Sequence, residues 1–373
     1  MKNNTGIATL YSKGYIDMTK EPMFFGSGKN LQRFDIFKYE VFNSISDKMT
    51  SFFWRPEEVD LQKDANDMEV MEEHEEFILT KTIQKIEFLD SIMSRGPMLT
   101  FGQIVSIPEL ERAILTWDYF ESIHAFSYSY ILQNIYAEPS KIFDEVHDIK
   151  ELQNIADFIS GYYNDFYKDV IEYQHINLNN KKVSDEFMLK IKKSFLRLLM
   201  TVNCLEGIEF LSSFSAVWSL TEAKGIVPGN TKILQFIARD ELQHLRLTQN
   251  INKILKEEKS EGFSELWNEM QTEFYDIYWK ATELEFKWID MLYSKGSIIG
   301  MNADIAKEYI KYTTNNRLKA VTLKPIFPEV KQNPIPWIDK YYNFGSTSAA
   351  LQEIESNDYK LGAIKFDEPD WKM

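Results

Sequence analysis

Glu121-Ser-Ile-His124 recurs about one hundred and twenty residues later as Glu241-Leu-Gln-His244, and some thirty residues before each pair an acidic residue stands in an apolar helical run. Residues three apart on an α-helix project from one side, so each Glu-x-x-His offers a carboxylate oxygen and an imidazole nitrogen to a single point. The upstream acids are Asp90, within Phe88-Leu-Asp-Ser-Ile-Met93, and Glu206. Between Leu196 and Leu220 the only charged residues are Arg197, Glu206 and Glu209. A carboxylate in such surroundings is costly to bury unless a cation or a donor meets it.

Two Glu-x-x-His helices, joined by one acid from each of two further helices, make the core site of a ferritin-like bundle that holds two metal ions. The expected fold is therefore all-α, with additional helices around a dinuclear carboxylate core. The expected ligands are Asp90, Glu121, His124, Glu206, Glu241 and His244.

Spacing alone is a weak signal. With five histidines and 57 acidic residues in 373, random placement gives roughly 0.8 acid-x-x-His matches, and four occur. Glu172-Tyr-Gln-His175 runs into Asn177-Leu-Asn-Asn180, a solvated helix end, and the acid lying upstream of it is Glu138, beside Pro139 in a turn. Asp144-Glu-Val-His147 carries Asp in place of Glu and is set aside on context, and His74 in Glu72-Glu-His-Glu-Glu76 reads as a solvated face. Any one such pair is more often a surface pair than a ligand pair. The duplicated arrangement of acid, gap and Glu-x-x-His reverses those odds.

Helical periodicity dominates the chain. Helices are expected at about 67–94, 109–136, 151–177, 184–222, 231–258, 263–295 and 303–322, with boundaries good to a few residues. Pro108 suits a first turn, Gly96-Pro97 a stop, and Asn230 a cap for the helix bearing Glu241. Residues 1–65 read as irregular, ending near the aromatic run Ser51-Phe-Phe-Trp-Arg-Pro56. Residues 1–344 are expected to form one bundle domain and 345–373 a flexible tail.

Hydrophobic residues make up 44% of the chain, which is ample for a core, and no apolar run is long enough to span a bilayer. The N-terminus lacks a signal-peptide core, and the one cysteine, Cys204, excludes an internal disulfide framework, so a soluble, cytoplasmic protein is expected. A net charge of −15 argues against a basic nucleic-acid-binding face. No glycine-rich phosphate loop is present.

Carboxylate and imidazole ligands without thiolate suit iron or manganese, and open positions suit dioxygen activation better than structural zinc. Tyr128 follows Glu121 by seven and His124 by four, on the same helix face, where a phenol could be oxidised by the metal pair. A core tyrosine with a satisfied hydroxyl is the plainer reading, and it is the one given to Tyr119 and Tyr130. Asp240, beside Glu241, is a candidate partner for the outer nitrogen of His124.

Together these residues resemble the small, radical-carrying beta subunit of class I ribonucleotide reductase, in its tyrosyl-radical, iron-dependent branch. The resemblance runs over nearly the whole chain. It is carried by Glu21-Pro-Met-Phe-Phe-Gly26, Ser51-Phe-Phe-Trp-Arg-Pro-Glu-Glu-Val59, Leu89-Asp-Ser-Ile92, Glu121-Ser-Ile-His124 with Tyr128, Cys204-Leu-Glu-Gly207 and Ile237-Ala-Arg-Asp-Glu-Leu-Gln-His-Leu245.

The resemblance implies two iron ions per chain, oxo-bridged when oxidised, with manganese as an alternative. Asp90, Glu121 and His124 would bind one ion, and Glu206, Glu241 and His244 the other. It implies Tyr128 as the stable radical, Phe210, Phe214 and Ile237 as the apolar pocket around it, and Trp54 and Asp240 as the start of radical transfer. Tyr359 would be the relay to a large catalytic subunit, where the nucleotide is reduced. The terminus Lys365-Phe-Asp-Glu-Pro-Asp-Trp-Lys-Met373 would dock there through Phe366 and Trp371. A homodimer and reaction with dioxygen are also implied. Glu209, one turn after Glu206, stays open as a rival ligand, an outer charge or a solvent-facing residue. The other functions considered are a monooxygenase- or desaturase-like diiron oxidase, a ferritin-like iron store, and a helical scaffold with accidental motifs.

Overall fold

The computed structural model describes residues 10–259 and 261–343. The architecture is helical: α1 (Glu40–Ser51), α2 (Gln62–Met68), α3 (Glu73–Met93), α4 (Pro108–Ile135), α5 (Lys150–Leu178), α6 (Asp185–Cys204), α7 (Phe210–Lys224), α8 (Pro228–Glu257), α9 (Gln271–Leu292) and α10 (Ala303–Ala320), with shorter turns between them. Isolated bridges pair Phe24 with Val105 and Ile298 with Met301. Helices α3, α4, α8 and the α6–α7 segment enclose the core, while α5, α9 and α10 pack outside them. Among the described residues no helix is long and apolar enough to cross a membrane.

Local chemistry explains most boundaries. Glu72 and Glu75 form a reciprocal capping box at the start of α3, and Pro108 opens α4 where no amide partner is needed. Ser184 and Asn302 cap α6 and α10 by accepting from Phe187 and Ile305. Gly225, at φ +67°, ends α7 in the left-handed conformation that favours glycine.

Several expectations change, among them the run expected at 263–295, which is two helices, Phe263–Glu269 and Gln271–Leu292, divided at Met270. The N-terminal segment is not irregular throughout, because Glu40–Ser51 is helical and buries Phe42, Ile45 and Met49 against α4 and α8. That spacing of three and four was present in the sequence. Asn230 does not cap α8, since the helix already begins at Pro228. Its start is held from outside: Asp67 Oδ2 accepts from the amide of Val227 at 2.8 Å, and Asp64 accepts from the amides of Gly229 at 2.9 Å and Asn230 at 2.6 Å. Two carboxylates of α2 thus meet the buried amide donors that the first turn leaves unpaired and the positive end of α8. Finally, the run expected at 184–222 widens into a π-turn at Leu205–Glu209 between α6 and α7. Such turns favour functional positions, and this one carries Glu206. Gly207 in it lets Arg317 of α10 pass so close that a Cβ would collide with that side chain.

Candidate metal centre

Each of the six expected ligands comes from a helix at the core, and each is fully buried. Asp90 projects from α3, Glu121 and His124 from α4, Glu206 from the π-turn, and Glu241 and His244 from α8. Their ligand atoms form two groups, each with all atoms within 4.8 Å of one another: Asp90, Glu121, His124 and Glu241, and Glu121, Glu206, Glu241 and His244. Glu121 and Glu241 belong to both. Glu241 places Oε1 at 3.1 Å from His124 Nδ1 and Oε2 at 2.9 Å from His244 Nδ1. Glu121 does the same with Oε2 at 3.6 Å and Oε1 at 3.1 Å. The two imidazole rings are 5.7 Å apart. The triad Asp90, Glu121 and His124 falls within one group and the triad Glu206, Glu241 and His244 within the other, while each glutamate also reaches both histidines.

Electrostatics and orphaned atoms favour cations here. Both oxygens of Asp90 and of Glu206, Glu121 Oε2, Glu241 Oε1 and His124 Nδ1 are buried without a hydrogen-bond partner of good geometry. Buried polar atoms are normally satisfied, so a convergent set of exceptions requires an explanation. Burial, reinforced by the charges of Glu121 and Glu241, pushes the Asp90 carboxyl well above its ordinary range. Burial and the charges of Glu241 and Glu121 do the same to Glu206. Burial disfavours charged imidazole, yet the facing carboxylates, led by Glu241, hold His124 and His244 well above the ordinary histidine value. Against burial, the Glu206 side chain and the two histidines draw Glu241 below the carboxylate range. Protons are therefore drawn to the cluster to offset its charge. Four carboxylates with neutral imidazoles carry −4, the charge that two divalent cations neutralise.

Surrounding groups orient the ligands. Trp117, one turn before Glu121, donates Nε1–H to its Oε1 at 2.7 Å. His124 Nε2 meets Asp240 Oδ2 at 3.3 Å, and the same oxygen accepts from Trp54 Nε1 at 2.8 Å. This bond turns Nδ1 of His124 toward the carboxylates, the usual role of an outer partner. Arg239 Nε stands 3.5 Å from the other oxygen of Asp240. Tyr128 is fully buried with its hydroxyl beside Asp90, and burial together with that carboxylate raises its phenol well above the ordinary value. Phe210, Phe214 and Ile237 are buried in the same apolar core as Tyr128.

Tyr359, Phe366 and Trp371 lie outside the described residues. His147 and His175 are exposed, and His74 is half-buried at 3.7 Å from Glu72. Glu209 belongs to neither ligand group and does not face solvent: it is buried and pairs with Lys85 at 3.3 Å. Sequence reasoning missed Trp117 and Lys85. The first was readable at one turn before Glu121, whereas the second gave no signal in its helix.

A helical bundle with duplicated Glu-x-x-His pairs around a shared carboxylate pair is the arrangement of the ferritin-like metal-carboxylate proteins. A profile described as "Ribonucleotide reductase, small chain" matches residues 33–334. The ribonucleoside-diphosphate reductase subunit beta of Buchnera aphidicola subsp. Baizongia pistaciae is 39% identical over 95% of this chain and 96% of its own. The ribonucleoside-diphosphate reductase 1 subunit beta of Escherichia coli O157:H7 is 38% identical, again over 95% of this chain and 96% of its own. Among solved structures, the ribonucleotide reductase R2 subunit from Clostridium botulinum superposes with a TM-score of 0.77 at 30% identity, covering 90% of this chain and 98% of that one. The chain belongs to the ribonucleotide reductase small-chain family.

Proposed function

We propose that this chain, as the small subunit of ribonucleoside-diphosphate reductase, holds two iron ions on Asp90, Glu121, His124, Glu206, Glu241 and His244 and stores an oxidising equivalent on Tyr128. The reading rests most on one observation: two fully buried ligand groups share Glu121 and Glu241. An iron pair, when bound, supplies the reaction with dioxygen that oxidises the phenol; manganese is the alternative metal. The protein's part is positional. Trp117 and Asp240 hold Glu121 and His124 in place, and Asp90, the carboxylate acting most strongly on the buried Tyr128 phenol, would take its proton as Tyr128 loses an electron. Phe210, Phe214 and Ile237 keep water from the radical.

The equivalent then leaves through the hydrogen-bonded chain His124–Asp240–Trp54. Trp54 is almost fully buried but lines a surface crevice of about 310 Å³ with Phe53, Tyr119 and Phe126. From there Tyr359, in the 345–373 tail, would carry it to the large catalytic subunit. Exposed Tyr119 and Phe126 on α4, with Phe53 stacked on Tyr119, favour a protein contact at that crevice, and a homodimer is proposed as well. A cytoplasmic location is proposed with it.

The test is electron paramagnetic resonance after Fe(II) and oxygen are added to metal-free protein. A tyrosyl signal should appear in the native chain and be absent in Tyr128→Phe. An unchanged signal in the variant places the radical elsewhere.

A further inference from the structure

A second buried ionic cluster lies beside the metal centre without contributing a ligand to it. Lys85 of α3 is completely buried, with Nζ 2.6 Å from Glu285 Oε2 of α9, 3.3 Å from Glu209 Oε2 and 3.2 Å from the carbonyl oxygen of Glu209. That carbonyl also accepts from the hydroxyls of Ser212, at 3.1 Å, and Ser213, at 2.9 Å. The single proton of the Ser212 hydroxyl is shared between that carbonyl and the second oxygen of Glu285.

A buried ion pair is a poor stabiliser, because desolvation offsets the Coulombic gain and apolar residues of similar volume often serve as well or better. Its points of attachment are more informative than its energy. Glu209 closes the π-turn that presents Glu206, and Lys85 lies five residues before Asp90 on α3. A widened turn disturbs the regular helical hydrogen bonding, and side chains that insert there fix its shape. Three donors converging on the Glu209 carbonyl do so here. The ammonium thereby ties the turn bearing Glu206 to the helix bearing Asp90. These are the two carboxylates that belong to only one ligand group each. Burial and the charge of Glu285 push the Glu209 carboxyl well above its ordinary range.

We propose that Lys85, anchored by Glu285, is a positioning residue for the ion position bounded by Glu206 and His244: it fixes the π-turn so that Glu206 reaches the metal pair. The inference rests on the ligand assignment proposed above.

Its test uses the full chain, free of oxygen, with Mn(II) as the probe, read by calorimetric titration and by the electron paramagnetic resonance of the bound ions. The native chain should bind two Mn(II) with an exchange-coupled spectrum. Lys85→Met should bind the first ion within about twofold of native affinity and the second at least tenfold more weakly, with a spectrum of isolated Mn(II). Lys85→Arg, which keeps the cation, should restore coupling. Two ions bound with native affinity and coupling in Lys85→Met would overturn the proposal, as would equal weakening of both ions. Should Lys85→Met fail to fold, Glu285→Gln decides by the same readout: selective loss of the second ion supports the proposal, and no change overturns it. A native chain that binds fewer than two ions refutes the ligand assignment itself, and the role of Lys85 falls with it.

Discussion

Asp240→Asn isolates the electrostatic contribution of a single charge to the metal centre. One oxygen of Asp240 accepts from both Trp54 Nε1 and His124 Nε2. An asparagine carbonyl in the same place can accept both, so the fold should survive, with a stability loss of about 1 kcal/mol. The amide nitrogen would replace the oxygen that now faces Arg239 at 3.5 Å, which removes an attraction without opening a cavity. What is lost is the charge behind the His124 imidazole. A hydrogen bond to a charged group contributes about 1.5–3 kcal/mol and a neutral one about 1 kcal/mol. The difference, about 0.5–2 kcal/mol, corresponds in its upper half to roughly tenfold in affinity, at the lower end of the effect typical of such outer partners. Competition of Fe(II) between the protein and a chelator, free of oxygen, gives the two successive binding constants. One should fall by about tenfold and the other should stay within about twofold, because His244 does not touch Asp240. Equal losses at both positions, or none, would refute the reasoning.

Asp64→Ala should remove the acceptor for the buried amides of Gly229 and Asn230 and lower unfolding stability by about 3 kcal/mol. The check is a lower urea midpoint at unchanged slope, with Fe(II) affinity nearly intact because the ligands lie further along α8. Burial and the neighbouring Glu258 push Glu261 up to about 7, so the folded state holds this proton more tightly than the unfolded chain. For an acid raised in this way, stability is greatest below its unfolded value and declines as pH rises through about 7. Glu261→Gln should therefore raise the melting temperature at pH 8, by an amount corresponding to about 1 kcal/mol after allowance for solvent screening, and change little at pH 5. The opposite ordering of the two pH values would refute the sign.

Asp90 and Glu206 were legible because each is an acid with few charged neighbours in an apolar helix, where burial without a counter-charge would be prohibitive. Asp240 was legible from its place beside Glu241. The sharing of Glu121 and Glu241 was not, since it depends on how α4 and α8 approach one another rather than on spacing within either. Glu209 could be narrowed only to three roles. Its partners, Lys85 and Glu285, are far from it along the chain, and Lys85 reads as an ordinary solvated lysine until its burial is known. The π-turn has no proline to announce it. Helix α1 was legible in principle from Phe42, Ile45 and Met49, but Pro22, Gly26 and Gly28 before it and the aromatic run after it make the whole segment read as irregular. Asn230 misled because a good capping residue stood near the right place, while the true acceptors came from α2.

The most direct measurement is anomalous diffraction at the iron edge from crystals of the iron-loaded chain. The account predicts two peaks per chain, one bounded by Asp90 and His124 and the other by Glu206 and His244, with Glu121 and Glu241 touching both. A single peak, or two peaks with Asp90 or Glu206 beyond bonding reach, would contradict it.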